Sequence, residues 1–497
     1  MALTTPPDTP PADLRYAWRV LSVTGLGMWV TFSSVSMVPL ALPHMVGDLR
    51  AGPGQADWFV LAYQLVTAVS MLPLGRLSDV LGRRTMYVGG LGLVTAATLA
   101  ICFCTAPEPV IALRAVQGIG AAAVITNTTA LLVDAFPADH VSRGIGWNIT
   151  IMSSAVALGP LLGGLLTEAF GWRAVFALTV PLALAGTLWS AAALRRTRPV
   201  TLGRAGADVA GTLLSVVGIG GIVLAVNRVD DGVGSPSFLL PAVVAVLGIT
   251  AFVLVERRVA HPILDLRLVL VRFRGAAYAT TALLNLGLSA GPLLVSLYLQ
   301  SLHGLTALSA GLCITAQACG NILVGPTAGR WAGHMEARVL ATAGALIAVV
   351  GAVLLATVFA LGGSGLVVAG ALFVMGLGNG IFQTTNASVI NIGVRPWERG
   401  MANGFRVMID NSAALLGSAV ALVLLTAGLP EALRAEALAG HVAGFDPVHL
   451  DAFADAFPLT IGVLAVLSLI AVCVSALRGR TPQETELAES TVGTEES

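Results

Sequence analysis

The sequence predicts an all-α polytopic membrane protein with fourteen transmembrane helices arranged as 6+2+6. Three observations predict it. Hydrophobic residues make up 56% of the 497-residue chain and charged residues 11%, with a mean hydropathy of +0.86, whereas soluble domains carry roughly 25% charged residues. Apolar runs of about 20 residues, the length that crosses a hydrocarbon core of ~30 Å, recur along the whole chain. Arginine is concentrated in alternate loops, the asymmetry that orients spans in a membrane.

Taken in order, residues 1–16 are a proline-rich cytoplasmic tail. They lack the positive n-region, apolar stretch and cleavage site of a signal peptide, so the first span is expected to stay in the mature protein. Spans at 17–43, 57–75, 85–105, 109–134, 143–168 and 172–194 form a first bundle, 17–194. A linker pair, 208–227 and 238–256, fills 208–256. The second bundle, 275–477, holds 275–302, 307–331, 338–361, 365–391, 400–428 and 457–477. Its outer loop, 429–456, carries Glu431, Glu436, Asp446, Asp451 and Asp455, and residues 478–497 form a Glu-rich tail expected to be disordered.

An even number of spans puts both termini on one side. With the N-terminus cytoplasmic, the inner segments hold 21 of the 27 basic residues, all arginine, and the outer segments hold four: Arg50, Arg173, Arg228 and Arg434. Arg114 and Arg406 lie within spans. The absence of lysine, with abundant alanine and glycine, suggests a GC-rich bacterial coding sequence and hence the inner or plasma membrane of a bacterium.

Several classes are excluded. Zero net charge argues against a nucleic-acid partner. Cys102, Cys104, Cys313, Cys319 and Cys473 fall in apolar runs, where small packing residues are expected and neither disulfides nor a metal site. His441 and His449 sit among acids and are read as parts of a solvated loop, with metal ligation as the alternative. No P-loop, paired-histidine motif or nucleophile elbow is present, so neither an enzyme nor a cofactor is expected, and an ion gradient is the energy source.

Charged and polar residues within or beside the spans mark candidate chemistry. The stretch Gly75 to Arg84, GRLSDVLGRR, is read as a tight loop at the bilayer surface. Asp79 exceeds what topology alone needs, so an ion pair with a neighbouring helix end is expected to hold an inner gate. The stretch Gly325 to Arg338 echoes it, with Gly329-Arg330 standing for Gly75-Arg76 and Gly333 for Asp79. Such repeats build transporters whose substrate site lies at the midplane between halves.

Arg114 costs at least about 2.5 kcal/mol in mid-bilayer, so it either faces a cavity or partner or snorkels to the interface. Asp410, one turn after Arg406, is the candidate proton carrier, or else a structural partner in an i, i+4 pair. Asp134 and Glu168 are read as interfacial. Asn127, Asn285, Asn379 and Gln383, with Thr128, Asn148, Ser153, Ser289 and Asn386, either line an amphiphilic cavity or hydrogen-bond between helices.

With these residues in hand, the chain resembles the major facilitator superfamily, and within it the fourteen-helix drug/proton antiporter branch. Gly75, Asp79, Gly82, Arg83 and Arg84 are similar to its signature between the second and third helices. Arg114, Gln117, Gly118 and Gly120 resemble the motif that supplies an intramembrane arginine. Gly159-Pro160 and Gly163-Gly164 resemble the antiporter motif. Gly171-Trp172-Arg173, the segment His261-Pro262-Ile263-Leu264 with Asp265 and Arg267, and Tyr298-Leu299-Gln300 with His303-Gly304 and Ala310-Gly311 add matches to the branch.

The resemblance implies a major facilitator fold with pseudo-twofold halves and a monomeric exporter in a lipid bilayer. It exchanges a small amphiphilic organic compound, an antibiotic, drug or self-made metabolite, for protons by alternating access. Export of a lipid or siderophore, or a non-transporting sensor or scaffold, is the alternative. The branch usually carries an aspartate before the Ala-Leu-Pro that ends the first span, and an asparagine in between. Here Ala41-Leu42-Pro43 is preceded by Ser34 and Pro39 at those places. A carboxylate attracts a cation and trades it for a proton, so its loss makes neutral or anionic cargo more expected than cationic dyes.

Overall fold

The computed structural model of the chain describes residues 14–478, apart from 52–54, 56–57, 138–139, 196–208, 227, 230–231, 233, 260–266, 268, 270, 333, 393, 396–397, 431–432, 435–436 and 438–444. Residues 1–13 and 479–497 of the expected tails, the His261 to Asp265 motif, His441 and the echo residue Gly333 lie outside the described residues, while Leu14 to Tyr16, expected in the N-terminal tail, already belong to the first helix. No strand occurs among the described residues.

The helices are α1 (Leu14–Leu49), α2 (Trp58–Leu81), α3 (Arg83–Ile101), α4 (Pro107–Ala135), α5 (Val141–Phe170), α6 (Arg173–Ala193), α7 (Val209–Val226) and α8 (Pro236–Glu256). They continue with α9 (Arg272–Leu288), α10 (Gly291–Leu297), α11 (Ala307–Trp331), α12 (Ala337–Ala360), α13 (Gly365–Asn391), α14 (Arg399–Thr426) and α15 (Pro447–Ala476). Among the described residues twelve spans are long and apolar enough to cross a membrane, α9 and α10 counting together as Arg272–Leu302. α7 is too short to be counted, and α11, which carries Gln317, Asn321 and Arg330, is not among the twelve.

Helix starts follow local chemistry. Ser235, Thr306 and Asp446 stand at N-caps and accept from the backbone N–H of Phe238, Ser309 and His449, satisfying donors that a helix start leaves orphaned. Prolines at the first turns of α4, α8 and α15 occupy positions whose N–H needs no partner. The cap at Asp446 corrects the outer loop 429–456: its last ten residues, from Pro447, are already helical.

The Gly75 to Arg84 stretch is likewise helix to Leu81, not loop. Only Gly82 breaks it, at φ 90, a left-handed value that glycine adopts without a Cβ clash. The expected span 275–302 is interrupted at Ser289-Ala290 and resumes with Pro292 in the first turn of α10, ending in a π-helical turn at Tyr298–Leu302.

In the first bundle α1 packs on α5 and α6, and α4 packs on α2 and α3. In the second, α13 packs on α11 and α12, and α15 packs on α9 and α12. Their cores are separate, one built around Tyr87 and Val124, the other around Leu294, Tyr298, Phe359 and Phe457. α7 and α8 pack on each other and touch α2 and α14. The two bundles meet where α2 crosses α14 and α5 crosses α11.

Candidate functional site

The joint between the bundles is tightest at the end where α2 stops and α14 starts, the Asp79 face. Asp79 is 5% exposed, and its Oδ1 and Oδ2 accept from the backbone N–H groups of Gly400 and Met401, each at 3.1 Å. These belong to the first turn of α14, whose N–H groups have no intrahelical partner and whose dipole favours an anion. Glycine makes the approach possible. A Cβ on Gly400 would lie 2.6 Å from both the Gly75 carbonyl oxygen and Asp79 Oδ1, and one on Gly75 would lie 2.8 Å from the Gly400 oxygen.

Arginines of the motif extend the joint. Arg83 faces Asp79 at 3.7 Å and pairs with Asp134, and Asp134 pairs in turn with Arg399 at the start of α14. Asp134 thus bridges an arginine of each bundle. Arg84 turns the other way and donates to the Ala191 carbonyl at 2.6 Å in the last turn of α6, where orphan carbonyls favour a cation. On the same face Ser142 of α5 donates to Ser388 of α13 at 2.9 Å. A Cβ on Gly329 of α11 would meet the Ser142 carbonyl at 2.5 Å.

A second cluster lies inside the first bundle. Arg114 is 1% exposed and donates to the Phe59 carbonyl, to Ser34 Oγ and to Gln117 Oε1, each at 2.9 Å. Its guanidinium lies 4.4 Å from the centre of the Tyr63 ring. Gln117 passes the chain on, donating to Thr98 Oγ1 at 2.7 Å. Arg114 therefore does not snorkel. Its partners come from α1, α2 and its own helix, all of them neutral.

A third cluster lies in the second bundle. Arg406 Nη1 is 3.0 Å from Asp410 Oδ2, and Asn285 Nδ2 of α9 donates to Asp410 Oδ1 at 2.6 Å. The Gln383 side chain of α13 lies beside the same carboxylate. Arg406, Asn285 and Gln383 are thus brought together around the Asp410 carboxylate, while Asn379 stands half-buried one turn before Gln383 on α13.

Other candidates do not converge. Asn127 is buried, and its amide donates to the Ala123 carbonyl of its own helix. Asn386 and Ser289 make hydrogen bonds between helices, to Thr281 and the Ala277 carbonyl and to the Ala414 carbonyl respectively. The Gly159-Pro160 face of α5 packs on α1. A Cβ on Gly159 would strike Ser36 Oγ, one on Gly163 would lie 2.8 Å from the Met37 carbonyl oxygen, and Gly164 faces Leu40.

A cavity of about 580 Å³ lies elsewhere, on the flank of α2 against α7 and α8. Its walls include Trp58, Leu61, Gly220, Leu240 and Pro241, and none of the predicted site residues lines it. Among the described residues no cluster of histidine, cysteine or acidic side chains has the make-up of a metal site.

Ser34 as a partner, Tyr63, Arg399 and the bridging role of Asp134 enter the site only in the folded chain. For Asp134 a signal was present: an acid at the inner end of a span, on the face where arginines accumulate.

Known proteins agree with this architecture. A sequence profile of the Major Facilitator Superfamily matches residues 24–418 and, separately, 277–495. The cephamycin export protein CmcT of Amycolatopsis lactamdurans is 30% identical over 403 residues, covering 79% of this chain and 82% of that protein. The puromycin resistance protein pur8 of Streptomyces alboniger is 30% identical over 494 residues, covering 96% and 95%. The crystal structure of the human organic anion transporter MFSD10 (TETRAN) superposes with a TM-score of 0.66 at 16% identity, over 94% of this chain and all of that one, which is a likeness of fold.

Proposed function

This chain belongs to the major facilitator superfamily, in its drug-exporter branch, and is a multi-pass membrane transporter and not an enzyme; on that premise we propose that it exports small amphiphilic organic compounds in exchange for protons by alternating access. The proposal includes fourteen spans as 6+2+6, with bundles at 17–194 and 275–477, linker helices within 208–256 and a monomer as the working unit. It also places both termini on the cytoplasmic side of a bacterial plasma membrane. The relatives' names, cephamycin export and puromycin resistance, point to antibiotics as the cargo class.

The latch at Asp79 carries the reading. A carboxylate of one half seated on the helix start of the other is a bistable element: both groups are satisfied when the faces meet, and both find water when they part. With the Asp79 face cytoplasmic, the described conformation is closed to the cytosol, because α2 meets α14 and α5 meets α11 there without room for side chains.

Coupling follows from the third cluster. Asp410 is held by Arg406, Asn285 and Gln383. Cargo and proton compete for Asp410: a cargo group that donates to the carboxylate keeps it ionised and expels the proton, and once the cargo has left the site takes up a proton again, the mutual exclusion that exchange requires. A motif of glycines on α5 lets α1 lie close without bulk between them, and Pro160 frees a backbone acceptor where the helix can bend.

The test is transport into inverted membrane vesicles of a panel of cationic, neutral and anionic antibiotics, with and without an imposed pH gradient. Accumulation that collapses when a protonophore removes the gradient is expected. Accumulation that persists without the gradient refutes proton coupling.

A further inference from the structure

We infer that Ser34 sets the charge preference of the transport route, and that the cargo it selects is an anionic amphiphile such as a carboxylate. The inference rests on the exporter reading above and deepens it by naming the cargo's charge. Ser34, on α1, presents its hydroxyl to the terminal nitrogen of Arg114 at 2.9 Å. The other acceptors of that guanidinium are the Phe59 carbonyl and the Gln117 amide, also neutral. Tyr63, over whose ring it lies, donates its own hydroxyl to the Thr31 carbonyl and adds no negative charge. Among the described residues Nη2 of Arg114 has no acceptor, and no carboxylate pairs with the side chain.

The rest of the interior does not compensate. Of the buried or half-buried charged side chains on the described helices, Arg114, Arg406 and Asp410 are those at least seven residues from either helix end. Arg406 and Asp410 pair with each other and cancel. One positive charge is left over in the membrane interior, in the bundle opposite the Asp410 cluster. An isolated buried cation is costly, and the cost is relieved by an anion entering its field and increased by a cation.

This action does not require contact with Arg114, which is covered in the described conformation. One unit charge acting over ~7–12 Å at an effective dielectric near 20 corresponds to roughly a ten- to fiftyfold preference for anion over neutral analogue. Ser34 is accordingly a specificity-determining residue. An acid in its place would stand within ion-pair distance of Arg114 and erase the surplus.

The experiment uses three fluorescent probes of one scaffold: dansyl-leucine, its methyl ester, and a dansyl-alkylammonium of equal length. Binding to the purified full-length protein is measured by fluorescence, and flux is measured in proteoliposomes. Wild type is expected to bind the carboxylate at least tenfold more tightly than the ester, and the ammonium more weakly still. Ser34→Asp should abolish that carboxylate preference while ester binding is retained, and Ser34→Asn, whose amide oxygen can also accept from Arg114, should keep it.

An unchanged carboxylate-to-ammonium ratio in a Ser34→Asp protein that still binds the ester overturns the inference. So does a wild type without charge preference, a result that needs no variant to fold. Charge-selective binding without any pH-driven flux would uphold this inference and refute the exporter reading on which it rests.

Discussion

Replacing Asp79 by asparagine is the most direct perturbation of the latch. The carboxylate accepts two backbone N–H groups at 3.1 Å from the first turn of α14 and is almost wholly buried. Asparagine retains one acceptor oxygen and no charge, so one bond to a charged acceptor, worth about 1.5–3 kcal/mol, is lost. The interaction with the helix dipole, about 0.3–1 kcal/mol, goes with it. Arg83 and Arg399 keep Asp134, so that part of the joint survives.

The closed Asp79 face should therefore lose about 2–4 kcal/mol relative to the open one, which shifts their ratio roughly thirtyfold to several hundredfold. Ser142 and Ser388, 2.9 Å apart across the bundles, supply the reporter. In a background with the five native cysteines replaced, Ser142→Cys and Ser388→Cys should crosslink rapidly in the parent and slowly with Asp79→Asn added. Equal crosslinking rates in two intact proteins would refute the latch.

Three further outcomes follow from the geometry. Asp410→Asn cannot take or release a proton, so it should abolish pH-gradient-driven flux while cargo binding survives; gradient-driven flux in this variant would remove Asp410 from the coupling step. Gly163→Val places side-chain atoms against the Met37 backbone, where a Cβ alone would sit 2.8 Å from the carbonyl oxygen. It should lower stability by about 1–3 kcal/mol, seen as a lower unfolding temperature in detergent, and an unchanged temperature would show that α1 and α5 do not pack as described.

On the opposite face, beyond the apolar part of α1, the Trp172 indole N–H and then the Arg173 guanidinium hold the Asp48 carboxyl below the usual carboxylate range. A lowered folded value means that these contacts stabilise the fold above the unfolded carboxylate value, about 3.9, and that the gain is lost as pH falls through the folded value. The difference in unfolding temperature between wild type and Asp48→Asn should thus be present at neutral pH and vanish on acidification; a difference that grows in acid would reverse the sign of the argument.

Much of the fold was legible because a bilayer imposes its rule locally. Any apolar run of sufficient length must be a helix, since no water is present to satisfy its backbone, and the observed helices match the expected spans within a few residues over most of the chain. The departures have local physical causes that hydropathy does not register. Asp446 with Pro447 starts α15 ten residues early, and Pro292 divides the expected span 275–302. The Gly75 to Arg84 stretch looked like a loop because its charges are dense. It is helical because Asp79 and Ser78 are buried against α14, which makes one face of the last turn of α2 a contact surface.

Legible in the sequence are the class, the order and approximate length of the helices, the arginine asymmetry, and the glycine motifs where helices approach closely, because each of these is written within a few turns of one helix. Which partner each charge takes depends on tertiary packing. Asp79 reaches backbone donors 321 residues away, Asp134 joins Arg83 to Arg399, Arg114 finds Ser34 from α1, and Asp410 gathers Asn285 and Gln383 from two other helices. Those pairings depend on how helices cross and rotate against one another. A buried charge must be satisfied by whatever that packing brings within about 3 Å, and no local pattern in the chain encodes the choice.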